Sequence, residues 1–157
     1  MTTAYIAWLQ DDGSAVDSSL LLPAEQAELA GFRSPERQRS FLLSRLLLRK
    51  LLRPHLPSSS LIFKRAESGR LFLEEAQGWH FSLSHSAGGI AAIACTQPCG
   101  IDIEVPRKAS FESVASRYFA EAEKKALQEA PTDQRVELFF RLWTLKEASV
   151  KALGEGL

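Results

Sequence analysis

The sequence predicts a mixed α/β (α+β) protein. Three observations carry this. The first hundred residues hold several short apolar runs separated by Gly, Pro, Asp and Ser, which reads as strands joined by turns. Two longer stretches, near 34–53 and 135–152, repeat apolar residues at helical spacing. Apolar residues make up 45% of 157 residues, enough for a buried core, yet no run of about twenty apolar residues suggests a membrane span.

In order, residues 4–9 (Ala-Tyr-Ile-Ala-Trp-Leu) read as a strand closed by Asp11-Asp12-Gly13. Leu20 to Gly31 reads as a helix. Ser34 to Arg53 reads as a second, with Ser34 as cap and Pro35 in the first turn. That helix is leucine-rich, with Arg45, Arg49 and Arg53 as its polar stripe. Its basic residues stand against one local acid, Glu36. Residues 61–64, 70–73, 79–84 and 90–95 read as further strands. With the Asp102/Glu104 strand they are expected to form an antiparallel meander. Helices follow at Phe111 to Phe119, Ala120 to Glu129 and Arg135 to Ala152, after a compositional break near Pro106-Arg107-Lys108.

Charge excludes some functions. Nineteen Lys and Arg balance nineteen Asp and Glu, so no global field attracts nucleic acid or an anionic membrane. The N-terminus lacks a basic segment followed by an apolar one, so no signal peptide is expected and the expected compartment is the cytoplasm. Cys95 and Cys99 flank a turn and have no Cys or His partners at zinc-site spacing, so they are expected to be reduced and structural.

Two motifs carry chemistry. In Gly100-Ile101-Asp102-Ile103-Glu104 the apolar residues alternate with two carboxylates, as on one strand. Residues i and i+2 stand roughly 7 Å apart, near enough to converge on one hard cation. About forty residues later comes Trp143-Thr144-Leu145-Lys146-Glu147-Ala148-Ser149-Val150-Lys151. On a helix, Trp143, Glu147 and Lys151 share a face at i, i+4 and i+8. A third carboxylate there would complete an oxygen site of the kind Mg²⁺ uses with phosphates. Taken separately, an Asp-x-Glu is often a solvated strand face and a Glu-x-x-x-Lys a surface pair.

Together and in this order, the motifs resemble the signature of the 4′-phosphopantetheinyl transferases, in particular the long, surfactin-synthetase-activator type. The resemblance covers about residues 5 to 157. It implies that family's fold, two similar α/β lobes with coenzyme A between them, here residues 1–104 and 105–157. Because Gly154-Glu155-Gly156-Leu157 matches a segment internal to long-type relatives, the second lobe is expected to be incomplete, with self-association or disorder near the end as the expected result.

Site residues follow from the same resemblance. Asp102, Glu104 and Glu147 match the ligands of Mg²⁺, with Mn²⁺ as the alternative. Glu147 also matches the residue proposed to deprotonate the attacking serine, and Lys151 a lysine on the diphosphate. Ser84 and His85, in Phe81-Ser82-Leu83-Ser84-His85-Ser86, match a Ser-His pair that contacts the diphosphate. Ser68-Gly69-Arg70 matches a segment near the adenine, with Arg70 in place of lysine. Arg37, Arg39 and Arg45 fall where the family holds the 3′-phosphate. The implied reaction moves the 4′-phosphopantetheine arm of coenzyme A onto a serine of an apo acyl or peptidyl carrier protein, releasing 3′,5′-ADP. Arg107 and Lys108 are candidates for meeting the acidic carrier, with help from Phe111 and Phe119. The competing expectations are a fragment that binds coenzyme A or carrier without turnover, and an unrelated Mg²⁺ phosphohydrolase. No Gly-x-Ser-x-Gly elbow is present to make Ser84 a hydrolase nucleophile.

Overall fold

The computed structural model describes residues 3–67, 69–75, 78–107 and 111–154. The chain runs β1 (Ala4–Gln10), α1 (Pro23–Ala30), α2 (Pro35–Leu52), β2 (Phe63–Arg65), β3 (Leu71–Leu73), β4 (His80–Ser86), β5 (Gly89–Cys95), α3 (Glu112–Tyr118), α4 (Glu121–Glu129) and α5 (Arg135–Leu153). Short 3-10 turns occupy Ser18–Leu20 and Ser58–Ser60. The predicted helix from Leu20 therefore starts three residues late. Pro23 has no N–H to donate and fixes φ, so it takes the first helical turn. At α2 the hydroxyl of Ser34 accepts the Arg37 N–H at 3.3 Å, as the cap reading expects.

The strands do not make one meander. β1, β5 and β4 form an antiparallel sheet in that order, and β2–β3 is a separate hairpin. The β4–β5 connection is two residues, Ala87 and Gly88, both at positive φ (46° and 79°). That left-handed pair matches the twist of a tight hairpin. Register places Ser84 opposite Ala91 and His85 opposite Ile90. On the other side Ile6 faces Ile93.

The expected strand at Ile101–Val105 does not form, since residues 101–107 belong to no sheet. Side-chain hydroxyls of β4 engage the segment where a neighbouring backbone ladder would otherwise do so.

α2 lies on the sheet. Leu43, Leu47, Leu48 and Leu52 pack with Phe81, Ile90, Ala92 and Ala94, and with Phe63 and Leu73 of the hairpin. Leu48 and Leu52 are fully buried. Burying a Leu side chain contributes roughly 1.5–3 kcal/mol, so this row dominates the first core. A second core joins α3, α4 and α5 around Phe119, Leu127, Phe139 and Phe140. Phe111, Tyr118 and Trp143 pack against it. Phe111 and Phe119 thus serve the core, and Phe119 is buried. Arg107 is exposed, while Lys108 lies outside the described residues.

Helix α5 links the two regions. Its first half is built into the second core. Its second half passes so close to Gly100 that a Cβ there would overlap the Ala148 carbonyl and lie 2.7 Å from the Ala152 nitrogen. Only glycine permits that approach.

Candidate active site

The two motifs meet through Asp102 and Lys151, where α5 passes the 101–104 segment. β4 alternates its side chains. Phe81 and Leu83 face α2 and the first core, while Ser82, Ser84 and Ser86 stand on the opposite side. Each of those serines holds one group of the segment. The Ile101 N–H donates to Ser82 Oγ (3.2 Å), the Ser84 hydroxyl donates to Asp102 Oδ1 (2.7 Å), and the Ser86 hydroxyl donates to Glu104 Oε2 (3.0 Å). From α5, Lys151 Nζ donates to the same Asp102 Oδ1 (2.7 Å) and to the Ile101 carbonyl (3.3 Å).

Asp102 is therefore asymmetric. Its side chain is only 6% exposed. Oδ1 accepts from two donors, whereas Oδ2 is buried with no partner. A buried orphan oxygen on a carboxylate is costly, so it marks a place for a cation or donor. Glu147 is close enough to feel this charge. Burial first, then the Asp102 carboxylate, then Glu104 push its pKa above the usual carboxylate value, and Lys151 pulls the other way. Three carboxylates thus face one ammonium.

The donor set is all oxygen, which suits a hard divalent cation. Among the described residues, no three His, Cys, Asp or Glu side chains are already gathered closely enough to hold a metal ion. The fit rests on Asp102 Oδ2 and on the mutual electrostatics of the three acids.

The pleat divides the predicted Ser84–His85 pair. Ser84 is buried on Asp102, while His85 is exposed and lines a cleft of about 530 Å³ on the α2 side. Arg37, Arg45 and Arg65 also line that cleft, with Phe32 and Phe41. The guanidinium of Arg37 sits 5.4 Å from the Phe32 ring centre and has no carboxylate partner among the described residues.

The other two predicted arginines have different work. Arg39 grips both carboxylate oxygens of Asp11 through two guanidinium nitrogens, which holds Asp11 below its usual pKa. Arg45, 3% exposed, is no solvated stripe. It pairs with Glu25 (3.2 Å) and Glu28 (3.7 Å) of α1 and lies 4.4 Å from the centre of the Phe41 ring. Glu25 also accepts from Arg49 (2.7 Å) and caps the Leu22 N–H (3.0 Å). The basic helix is thus answered by acids of α1 as well as by Glu36.

Arg70 packs against Gly154 at the end of α5 and acts electrostatically on Cys99. It does not line the cleft. Ser68 lies outside the described residues. Lys146, the first lysine of the helical motif, pairs with Glu123 of α4 at 3.0 Å. Cys95 and Cys99 are free and buried, as expected. Burial and the neighbouring Cys95 push the Cys99 thiol up to about 11.

Sequence reasoning missed Arg65, which the β2–β3 hairpin brings to the cleft. It also missed the joint role of Ser82, Ser84 and Ser86. Their every-second-residue spacing was the available signal.

Comparison with known proteins points to one family. The profile of the 4′-phosphopantetheinyl transferase superfamily matches residues 98–157, which hold Asp102, Glu104, Glu147 and Lys151. The chain is 35% identical over 156 residues to the 4′-phosphopantetheinyl transferase HetI of Nostoc sp., covering 95% of this chain and 64% of that protein. It is 30% identical over 141 residues to Sfp of Bacillus subtilis, covering 88% and 62%. For gsp of Aneurinibacillus migulanus the values are 35% over 118 residues, 74% and 48%. The chain thus spans about half to two thirds of the length of these relatives.

Proposed function

The chain belongs to the 4′-phosphopantetheinyl transferase superfamily, and on that premise we propose that it transfers the 4′-phosphopantetheine arm of coenzyme A to a serine of an apo acyl or peptidyl carrier protein. The observation that carries the reading is the Asp102 carboxylate, saturated on one oxygen and orphaned on the other, beside a Glu147 whose pKa is raised. Residues 1–104 and 105–157 are read as parts of the two family lobes.

Asp102 Oδ2, Glu104 and Glu147 would hold a hard divalent cation, Mg²⁺ or Mn²⁺. Bound there, it would neutralise charge on the pyrophosphate of coenzyme A. The protein's own groups supply the rest. Glu147 accepts the proton of the carrier serine, directly or through a water, as that oxygen bonds to the β-phosphorus. The bond from that phosphorus to the bridging oxygen breaks, and 3′,5′-ADP leaves. Lys151 offers an ammonium to the diphosphate when it leaves Asp102. Arg37 and His85 supply cationic and polar groups for the phosphates along the cleft. Positioning and charge stabilisation do most of the work in such transfers.

The test is intact mass spectrometry of an apo carrier protein incubated with the chain, coenzyme A and Mg²⁺. The expected result is a gain of one phosphopantetheine arm, abolished by Glu147→Gln. A second reading, binding without turnover, draws on the absence of a ready-gathered ligand triad among the described residues. Calorimetric binding of coenzyme A with no mass gain on any carrier would establish it in place of the first.

A further inference from the structure

We propose that β1 is a docking edge for a second copy of this chain, and that two copies pair strand to strand, β1 against β1, about a two-fold axis at Ala7. This surface shares no residue with the candidate active site, and its pairing does not depend on the transfer reaction.

β1 is an edge strand. Among the described residues it pairs with β5 alone, so one row of its backbone N–H and C=O groups has no strand beside it. Exposed edges are ordinarily guarded by Lys, Pro or a bulge. Residues 3–10, Thr-Ala-Tyr-Ile-Ala-Trp-Leu-Gln, hold no charge, no proline and no glycine, and the β1–β5 register runs unbroken from Ala4 to Gln10. The other edge strand, β4, is different, because its serine hydroxyls are taken by the 101–104 segment. β1 also turns apolar side chains to water. Ala7 and Leu9 pack on the α2 core. Ile6 and Trp8 stand on the opposite side, each 66% exposed.

A second copy answers both features. Antiparallel pairing centred on Ala7 sets Ile6 opposite the second copy's Trp8, Tyr5 opposite its Leu9 and Ala4 opposite its Gln10. The axis stands perpendicular to the sheet, so like faces stay together. Each Ile–Trp pair then occurs twice, and four exposed side chains become one apolar strip. Aromatic and β-branched residues directly opposite are favourable cross-strand partners, and no like charges meet. The helices leave room for this. α2 packs chiefly on β5, and β5 and its copy would lie three strand spacings apart, roughly 14 Å. Packed helices need only about 8–10 Å between axes. One strand edge and two side chains per copy make a contact smaller than a standard interface of about 1,600 Å², so the dimer is weak and concentration-dependent.

Sedimentation velocity of the 157-residue chain over about 1–100 µM reads this association. The expected result is a reversible shift from monomer to dimer as concentration rises. Ile6→Glu with Trp8→Glu sets carboxylates opposite one another across the axis and should weaken the dimer at least about tenfold. Ile6→Lys with Trp8→Lys should do the same. An equimolar mixture of the Glu and Lys variants should dimerise again, since each carboxylate then faces an ammonium. Circular dichroism checks that each variant keeps its fold. If a double variant does not, Trp8→Glu and Trp8→Lys alone carry the same comparison, because the two copies' positions 8 are diagonal neighbours. Leu145→Glu with Leu153→Glu, at exposed positions of α5, should leave association unchanged. A wild type that stays monomeric at about 100 µM would overturn the proposal. So would a dimer that survives the Glu pair on β1 but is lost with the Glu pair on α5, which would assign the contact to α5. Loss of the dimer in both charged variants without recovery on mixing would overturn the strand pairing as well.

Discussion

Two charged clusters sit in this molecule, and they are built on opposite rules. Between α1 and α2, Glu25 and Glu28 face Arg45, Arg49 and Arg65, so each carboxylate meets at least one guanidinium. At the junction of α5 and the 101–104 segment, Asp102, Glu104 and Glu147 share Lys151 as their one cation among the described residues. The first cluster is matched in charge within the chain, although Glu25 Oε1, Arg45 Nε and Arg49 Nη1 there are, like Asp102 Oδ2, buried without a hydrogen-bond partner. The second carries an excess of negative charge. Buried charge costs several kcal/mol per ion unless it is paired, so matched pairs act as scaffold and a persistent mismatch points to an external partner.

The largest expected effect tests the scaffold half of this contrast. Arg45→Ala removes the buried guanidinium between Glu25 and Glu28, leaves Arg49 as the remaining partner of Glu25, and should lower unfolding free energy by about 3 kcal/mol in urea denaturation. A loss below about 1 kcal/mol would show that the cluster is not scaffold. Next comes the junction. Gly100→Ala drives a methyl into the α5 backbone and should cost about 1–3 kcal/mol. It should also abolish transfer, because Glu147 and Lys151 ride on the displaced helix. Retained activity would mean that α5 need not approach so closely.

A smaller effect tests the excess charge. The folded state raises the pKa of Glu147, so the protonated form is the one that folding favours. The wild type therefore loses stability as pH rises through that pKa, and the full contribution is present only below the unfolded value of about 4.3. Glu147→Gln, neutral throughout, should raise Tm by a few degrees at about pH 7.5, with the gain vanishing near about pH 4. Mg²⁺ should raise the wild-type Tm more than Na⁺ does at equal ionic strength, and Asp102→Asn should remove that difference. The smallest effect is the control. Lys64 and Glu74 pair on the surface, both about half exposed, and Lys64→Ala should change stability by less than about 0.5 kcal/mol.

The sequence showed helices α2 and α5 clearly, because their apolar residues recur on one face and Ser34-Pro35 marks a start. It also offered Asp102, Glu104 and Glu147 as one ligand set, and of these the structure brings Asp102 into direct contact with the second motif, through Lys151. It could not show that Ile101–Val105 lacks a ladder. Alternation reports which side chains share a face, not whether a neighbouring backbone is free to pair. Nor could it place Arg45. The stripe Arg45, Arg49, Arg53 looks solvated on a helical wheel, and the acids that bury it come from α1, 24 residues before Arg49 in the case of Glu25. The resemblance carries Ser84 and His85 together as a diphosphate contact, but it does not show that the pleat turns the two side chains to opposite sides of β4.

Suspending the acidic segment from three hydroxyls has a mechanical consequence. A backbone ladder is stiff, and moving one rung disturbs its neighbours. A serine side chain turns about one bond, so each carboxylate can swing by a fraction of an ångström while the β4–β5 hairpin stays whole. The two acids are thus mounted on compliant posts above a rigid floor, able to tighten when charge arrives and slacken when it departs.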